Sequence, residues 1–356
     1  MSVAKRGATT ADDGVRSAAV ATSPGHGAPV PTVPADAPSS APAVEPAAAR
    51  PGEVVLASET WRLGVLPGLG GCWSFGQVRV GGRWVDLLRP TPDGGLSDPE
   101  QAASFPLLPW SNRIRDGVLE WQGERFQLVR NGPDGTAMHG AVRQLPWHVA
   151  SRTENEIDLR FSSCDAVGVN WPWRFSAQQV FTLVEDGVVV AMSVTNDDDV
   201  AFPAGLGQHP YFLLRLGAED AVQTTDADAG YELDAGMALG AAGAVPARAD
   251  YRAGRTLGTA FVDDCLTDLG GTPARWRYPD AGVEISLVAD ASYGHLVVYQ
   301  PVGRDHFAIE PVTHVNDGFA LHARGVPGTG VVVVEPGETF EASFGLRVAT
   351  SCTHPR

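Results

Sequence analysis

From Glu53 onward, apolar residues alternate with polar ones or gather in short β-branched runs separated by Gly-rich turns. Val78-Arg79-Val80 and Arg83-Trp84-Val85 flank Gly81-Gly82, which predicts a tight hairpin. Two more hairpins are predicted across Gln122-Gly123-Glu124 and across Glu185-Asp186-Gly187. Strand-like runs recur at 283–289, 295–299, 331–335 and 339–348. Helical periodicity is nearly absent: only 98–104 and 263–269 suit a helical turn or two. Strands at this spacing, without helices between them, make antiparallel sheets rather than βαβ units. The expected fold is therefore all-β, a large antiparallel β-sandwich. No internal repeat is evident, which disfavours a propeller or a β-helix.

Composition divides the 356 residues in two. No Phe, Trp, Tyr, Leu or Ile precedes Leu56, and eight of the 27 prolines fall before Gly52. Such a stretch cannot bury enough apolar surface to offset the entropy of ordering it. Residues 1–52 are thus expected to be a disordered Ala/Pro-rich tail, and 53–356 a single β domain. Over the whole chain, 44% hydrophobic and 19% charged residues are an ordinary globular balance.

Charge and sequence runs then remove whole classes of function. No apolar run approaches the roughly 18 to 20 residues of a membrane span. Lys5-Arg6 is not followed by the apolar region of a secretory signal. A formal charge of -16 argues against nucleic acid or an anionic membrane as partner. Cys72, Cys164, Cys265 and Cys352 lie far apart without CxxC spacing, and read as reduced thiols of a cytoplasmic protein.

Polar residues set among apolar, Pro and Gly neighbours are the informative ones, because burying them costs free energy unless they find partners. Four segments stand out. Asn112-Arg113 follows the turn Pro109-Trp110-Ser111 and offers donors and an acceptor suited to sugar hydroxyls or a carboxylate. A structural ion pair of Arg113 is the alternative. His139 precedes Gly140, which permits close approach of a ligand or of backbone, although a lone His-Gly is weak evidence. His209 stands before Pro210-Tyr211-Phe212, where an apolar setting can tune an imidazole for acid–base work; a core histidine is the alternative. Glu310 follows Phe307-Ala308-Ile309 and precedes Pro311, which suggests a strand end facing a cleft. A carboxyl there needs partners or a raised pKa, so Glu310 is either a site residue or half of a buried ion pair.

No HExxH, EF-hand loop, Cys/His ligand spacing, P-loop, strand-linked GxGxxG or GxSxG is present. Neither a metal nor a cofactor is expected. What remains is acid–base equipment without a nucleophile.

These residues, in this order, resemble the aldose 1-epimerase (mutarotase) family. The likeness rests on Pro109-Trp110-Ser111-Asn112-Arg113, Met138-His139-Gly140, His209-Pro210-Tyr211-Phe212, Asp263 before Leu266, and Ile309-Glu310-Pro311, and it spans roughly 53–348. The resemblance implies a galactose-mutarotase-like super-sandwich with a sugar cleft on one sheet face. It implies that Glu310 is the general base and His209 the general acid. It makes Arg113, His139 and Asp263 substrate-binding, with Asn112 beside them, and Asp264 in place of Asp263 if the register slips by one. The sequence departs from the family pattern at Ala141 and over Val312–Asp317, positions that line or flank the sugar site, so the identity of the sugar is left open.

Two further readings compete. A hexose-6-phosphate epimerase of the same fold needs cations at the rim, for which Arg115 and Arg143 are candidates, but the acidic residues between Glu219 and Asp234 disfavour an anionic ligand. A non-catalytic carbohydrate-binding protein would bind sugar without accelerating anomer exchange. The only expected partner is a small-molecule sugar, and oligomeric state is not legible.

Overall fold

The computed structural model describes residues 49–351. The expected tail falls, up to residue 48, outside the described residues, as does Cys352.

Antiparallel strands dominate, as the alternation predicts. The Gly81-Gly82 hairpin joins Cys72–Val80 to Arg83–Asp86, and both glycines take positive φ (56° and 82°), which a primed turn requires. Phe175–Val184 and Gly187–Asn196 pair over their full length. Val118–Trp121 pairs with Glu124–Gln127, so the third turn is Gln122-Gly123.

One expectation is corrected. The 263–269 stretch is not helical but belongs to the 17-residue strand Val262–Tyr278. Its backbone is claimed on both sides, by His295–Gln300 and by Val222–Gly230, and this pairing overrides the local helical pattern. The 98–104 stretch does hold one turn of 3-10 helix, Pro99–Gln101. The α-helix Gly318–Ala323, six residues long, was not anticipated.

The long strand is also the hinge of the architecture. Its first part pairs with His295–Gln300, which leads through His306–Val312 and Gly207–Leu213 to Ser104–Leu107. Its last part pairs with Val283–Ala289, which leads through Thr339–Thr350 and Gly187–Asn196 to Phe175–Val184. The ladder doubles back, because Trp73 and Phe181, distant along it, meet edge to face at 5.5 Å. Its two halves enclose the main core, to which Trp61, Trp73, Phe175, Phe181, Phe212 and Trp276 contribute fully buried rings.

Strand alternation then divides each site-bearing strand between two faces. Phe212, Phe307, Ile309, Leu296, Val298 and Leu266 point into the core between the layers. Their neighbours Tyr211, Ala308, Val297, Tyr299 and Cys265 belong to a second apolar cluster on the other face, with Phe105 and Leu107. That second face carries the site.

Truncating Phe181 to Ala removes a fully buried ring opposed to Trp73. We expect a loss of about 3–5 kcal/mol in urea unfolding; a loss below about 1 kcal/mol would contradict the packing described.

Candidate active site

The floor of the site is set by strand register. Gly207 stands opposite Val312 and Tyr211 opposite Ala308, which puts His209 level with Glu310 on the neighbouring strand. Pairing skips the residues between, where Pro210 and Pro311 supply no N–H. Glu310 is thus inside the strand His306–Val312, rather than at its end, and the strand runs on through Pro311. His209 Nε2 and Glu310 Oε1 are 3.2 Å apart, with side chains only 6% and 2% exposed.

Burial pushes the Glu310 carboxyl well above the usual range, with Asp263 adding to the rise and Arg113 opposing it. Burial likewise holds His209 well below the usual imidazole value, helped by the positive charge of Arg143. Both effects favour a neutral pair sharing one proton.

Asn112, Arg113 and His139 reach this floor from a separate pair of chain segments. Arg113-Ile114 pairs with Ala137-Met138, and His139 N–H donates to the Asn112 carbonyl at 2.8 Å. Asn112 and His139 both take left-handed φ, 54° and 63°, which turns each side chain out of the short ladder. Gly140 follows at φ 79°, and a Cβ there would sit 2.2 Å from the Leu108 carbonyl oxygen, so only glycine fits. The His139 ring stands edge-on to His209 at 5.3 Å and to Phe105 at 5.5 Å. Burial first, and Arg143 second, hold His139 neutral.

Arg113 is held on several sides. Its Nε donates to Asp134 and its Nη1 to the Asn112 side chain, each at 2.9 Å, and Nη1 lies 3.7 Å from Asp263 Oδ2. Asp263 faces the cleft from the long strand, opposite Tyr299. Asp264 points the other way and takes a two-point bond from Arg248, at 2.8 and 2.7 Å, so of the two aspartates it is Asp263 that lines the cavity.

All six residues singled out in the sequence, Asn112, Arg113, His139, His209, Asp263 and Glu310, line one cavity of about 410 Å³. Glu100, Asn131, Pro133, Met138, Tyr211 and Tyr299 complete its wall. Tyr211 could have been found by alternation, two residues beyond His209 on the same strand face; Tyr299 could not, because Asp263 opposite it lies in a stretch whose local pattern reads as helical. Asn131 carried no signal; its side-chain amide bonds both N–H and carbonyl of Met138, acting as a substitute strand beside His139. Glu310 Oε2, His209 Nδ1 and His139 Nδ1 have no hydrogen-bond partner among the described residues. A ligand presenting several hydroxyls would satisfy them.

Comparison with known proteins identifies the family and the fold. Residues 65–347 match the family model described as aldose 1-epimerase. The chain belongs to the aldose 1-epimerase family. The uncharacterised Escherichia coli protein YphB is 27% identical to this epimerase-family chain over 280 residues, 76% of this chain and 92% of that one. A galactose mutarotase-like protein from Clostridium acetobutylicum superposes with a TM-score of 0.73 at 16% identity, covering 83% of this chain and 95% of its own. An aldose epimerase homologue from C. elegans gives 0.72 at 16% identity, covering 84% and 99%. At these identities the structures establish a shared galactose mutarotase-like fold.

The 312–317 segment, where this family member departs from the pattern, buttresses the site. Ser111 N–H donates to His314 Nε2 at 3.0 Å, while His314 Nδ1 lies 2.8 Å from the Val315 carbonyl and donates to it. Asp317 accepts from the Arg115 N–H and pairs with its side chain. The loop carrying Asn112 and Arg113 is thereby fastened to the segment that follows the strand carrying Glu310.

Replacing Gly140 by Ala forces a side chain into a left-handed position against Leu108. The variant is expected to lose more than about 1 kcal/mol; an unchanged melting temperature would contradict the geometry.

Proposed function

We propose that this protein is an aldose 1-epimerase that interconverts the α and β anomers of an unphosphorylated aldose by general acid–base ring opening and closure. The observation that carries the reading is the buried His209–Glu310 pair at the cleft floor, 3.2 Å apart, with Glu310 Oε2 and His209 Nδ1 unpartnered among the described residues.

The proton balance is simple. Glu310 as carboxylate takes the proton of the anomeric hydroxyl while His209 as imidazolium protonates the ring oxygen, and the C1–O5 bond breaks. The open-chain aldehyde leaves a protonated Glu310 and a neutral His209, the form that burial favours. Rotation about C1–C2 presents the other face of the carbonyl. The hydroxyl at C5 then attacks C1, His209 takes its proton, and Glu310 returns one to the new anomeric oxygen. One shared proton moves between the two groups and is restored each turn. Arg113 and His139 hold the ring and stabilise charge developing on oxygen, and Asp263 and Asn112 receive its hydroxyls.

The phosphorylated-sugar reading loses its cations. Arg115 pairs with Asp317 and Arg143 with Glu100, so both candidate arginines already have a carboxylate. A binding-only protein would have little use for a buried pair poised to exchange a proton.

Glu310→Gln keeps the shape of the floor and removes the base. Polarimetry is expected to show a loss of about 10²–10⁴-fold in mutarotation, with sugar binding retained; near-normal rates would sink the assignment. NMR exchange across a panel of free and phosphorylated aldoses identifies the substrate, and failure on every sugar would favour the binding-only alternative. We also propose that the tail is dispensable. Arg50 bonds Glu53 and the Thr91 carbonyl, so the cut belongs before Ala49, and a chain lacking residues 1–48 is expected to keep its turnover.

A further inference from the structure

Two arginines packed behind the cleft take no part in the proposed proton transfer. The Arg143 side chain is 5% exposed; its Nη1 pairs with Glu100, and its Nε is buried without a partner among the described residues. Its guanidinium lies over the Phe105 ring, 4.9 Å from the centroid, and Phe105 stacks on His209 at 4.7 Å. Arg89 repeats the arrangement. Its guanidinium lies 4.0 Å over the Tyr211 ring, and Tyr211 lies 4.5 Å from His209.

A single short turn gathers both cations. In Pro99–Gln101, the Glu100 carboxylate takes Arg143, while the Glu100 carbonyl accepts from Arg89 Nη2 at 2.8 Å and the Ala102 carbonyl accepts at 2.7 Å. Asp98 pins the turn by accepting the Glu100 N–H at 3.0 Å. Burying guanidinium groups is expensive, and Glu100, half in solvent (53% exposed), offsets only part of the cost for Arg143. Among the described residues, His209 has no hydrogen-bond partner at Nδ1 to fix its ring, the usual device for an acid–base histidine.

We propose that Arg89 and Arg143, gathered by the Pro99–Gln101 turn, are positioning residues that press Phe105 and Tyr211 against the His209 ring and hold positive charge beside it. A cation on each aromatic face fixes the ring stack without a hydrogen bond. The same charges oppose an added proton on the imidazole. Other groups facing His209 are Glu310 at 3.2 Å, His139 at 5.3 Å and Tyr299 at 6.3 Å, with Asp263, Arg113 and His306 beyond. Burial, then Arg143, depress His209; its own backbone opposes them in part, and Arg89 and His306 add to the fall. The inference rests on the reading of His209 as a proton-transfer group, and its test separates the two.

The direct readout is the NMR titration of His209 in the free protein, which requires no turnover. Arg143→Met and Arg89→Met should each raise its midpoint by about half a unit to one unit, and Arg143→Lys and Arg89→Lys should restore it. Glu100→Gln removes the compensating carboxylate and should move the midpoint the other way. In the mutarotation assay, loss of a cation favours the proton at both ionisations of the pair, so both limbs of the kcat/KM profile of the Met variants should move to higher pH than in the wild type. Midpoints unchanged in the Met variants, or Lys variants that shift as far as Met, would overturn the proposal. Should the Met variants fail to fold, Glu100→Gln with the Lys variants still decides, because an unmoved midpoint in Glu100→Gln is also contrary. A wild-type protein that fails to mutarotate any aldose refutes the functional reading alone.

Discussion

Two adjacent strands must be held in one register for an imidazole and a carboxyl to meet at 3.2 Å with almost no solvent contact. A slip of one residue would turn His209 into the inter-layer core and bring Gln208 or Pro210 to the cleft, because side chains alternate. The register is secured from both directions. The core face of the same strands carries Phe212, Phe307 and Ile309, whose burial fixes which face is inward. Ser104–Leu107 and His295–Gln300 flank the pair on either side, so neither strand is an edge. The prolines flanking the pair remove backbone donors where the ladder opens.

Around this floor most arginines face a carboxylate, whereas Arg89 bonds only backbone carbonyls and His306. Arg113 is matched by Asp134 and Asp263, Arg143 by Glu100, and Arg115 by Asp317. A cleft whose cations are already engaged offers little to an anion, whereas its hydrogen-bonding atoms remain suited to hydroxyl groups. The chain's net charge of -16 points the same way at long range. Electrostatics here acts mainly inward, by setting which groups at the buried floor are neutral, rather than outward by attracting a charged ligand.

Much of this was readable from the chain because the informative residues break local rules. His209 and Glu310 interrupt apolar strands, and His139 precedes a glycine that only close backbone approach explains. Alternation gave the antiparallel class, and Gly81-Gly82 located a hairpin to the residue. The misreading of 263–269 has a physical cause, since pairing on both sides outweighs short-range periodicity. Glu100, Arg89 and Asn131 were beyond reach for a different reason. Glu100 acts on Arg143, 43 residues on, while Arg89 and Asn131 act by bonding backbone groups of neighbouring segments, which no local pattern marks.

The site draws its residues from two kinds of support. His209, Glu310 and Asp263 stand on strands of the main ladder, shared with the core, whereas Asn112, Asp134 and His139 stand on connecting segments fastened by His314, Asn131 and Gly140. Mutational drift in the connecting segments can reshape the walls without moving the floor. Under the proposed function, a change of sugar preference would need substitutions only in the connecting segments, with the proton-transfer pair left in place.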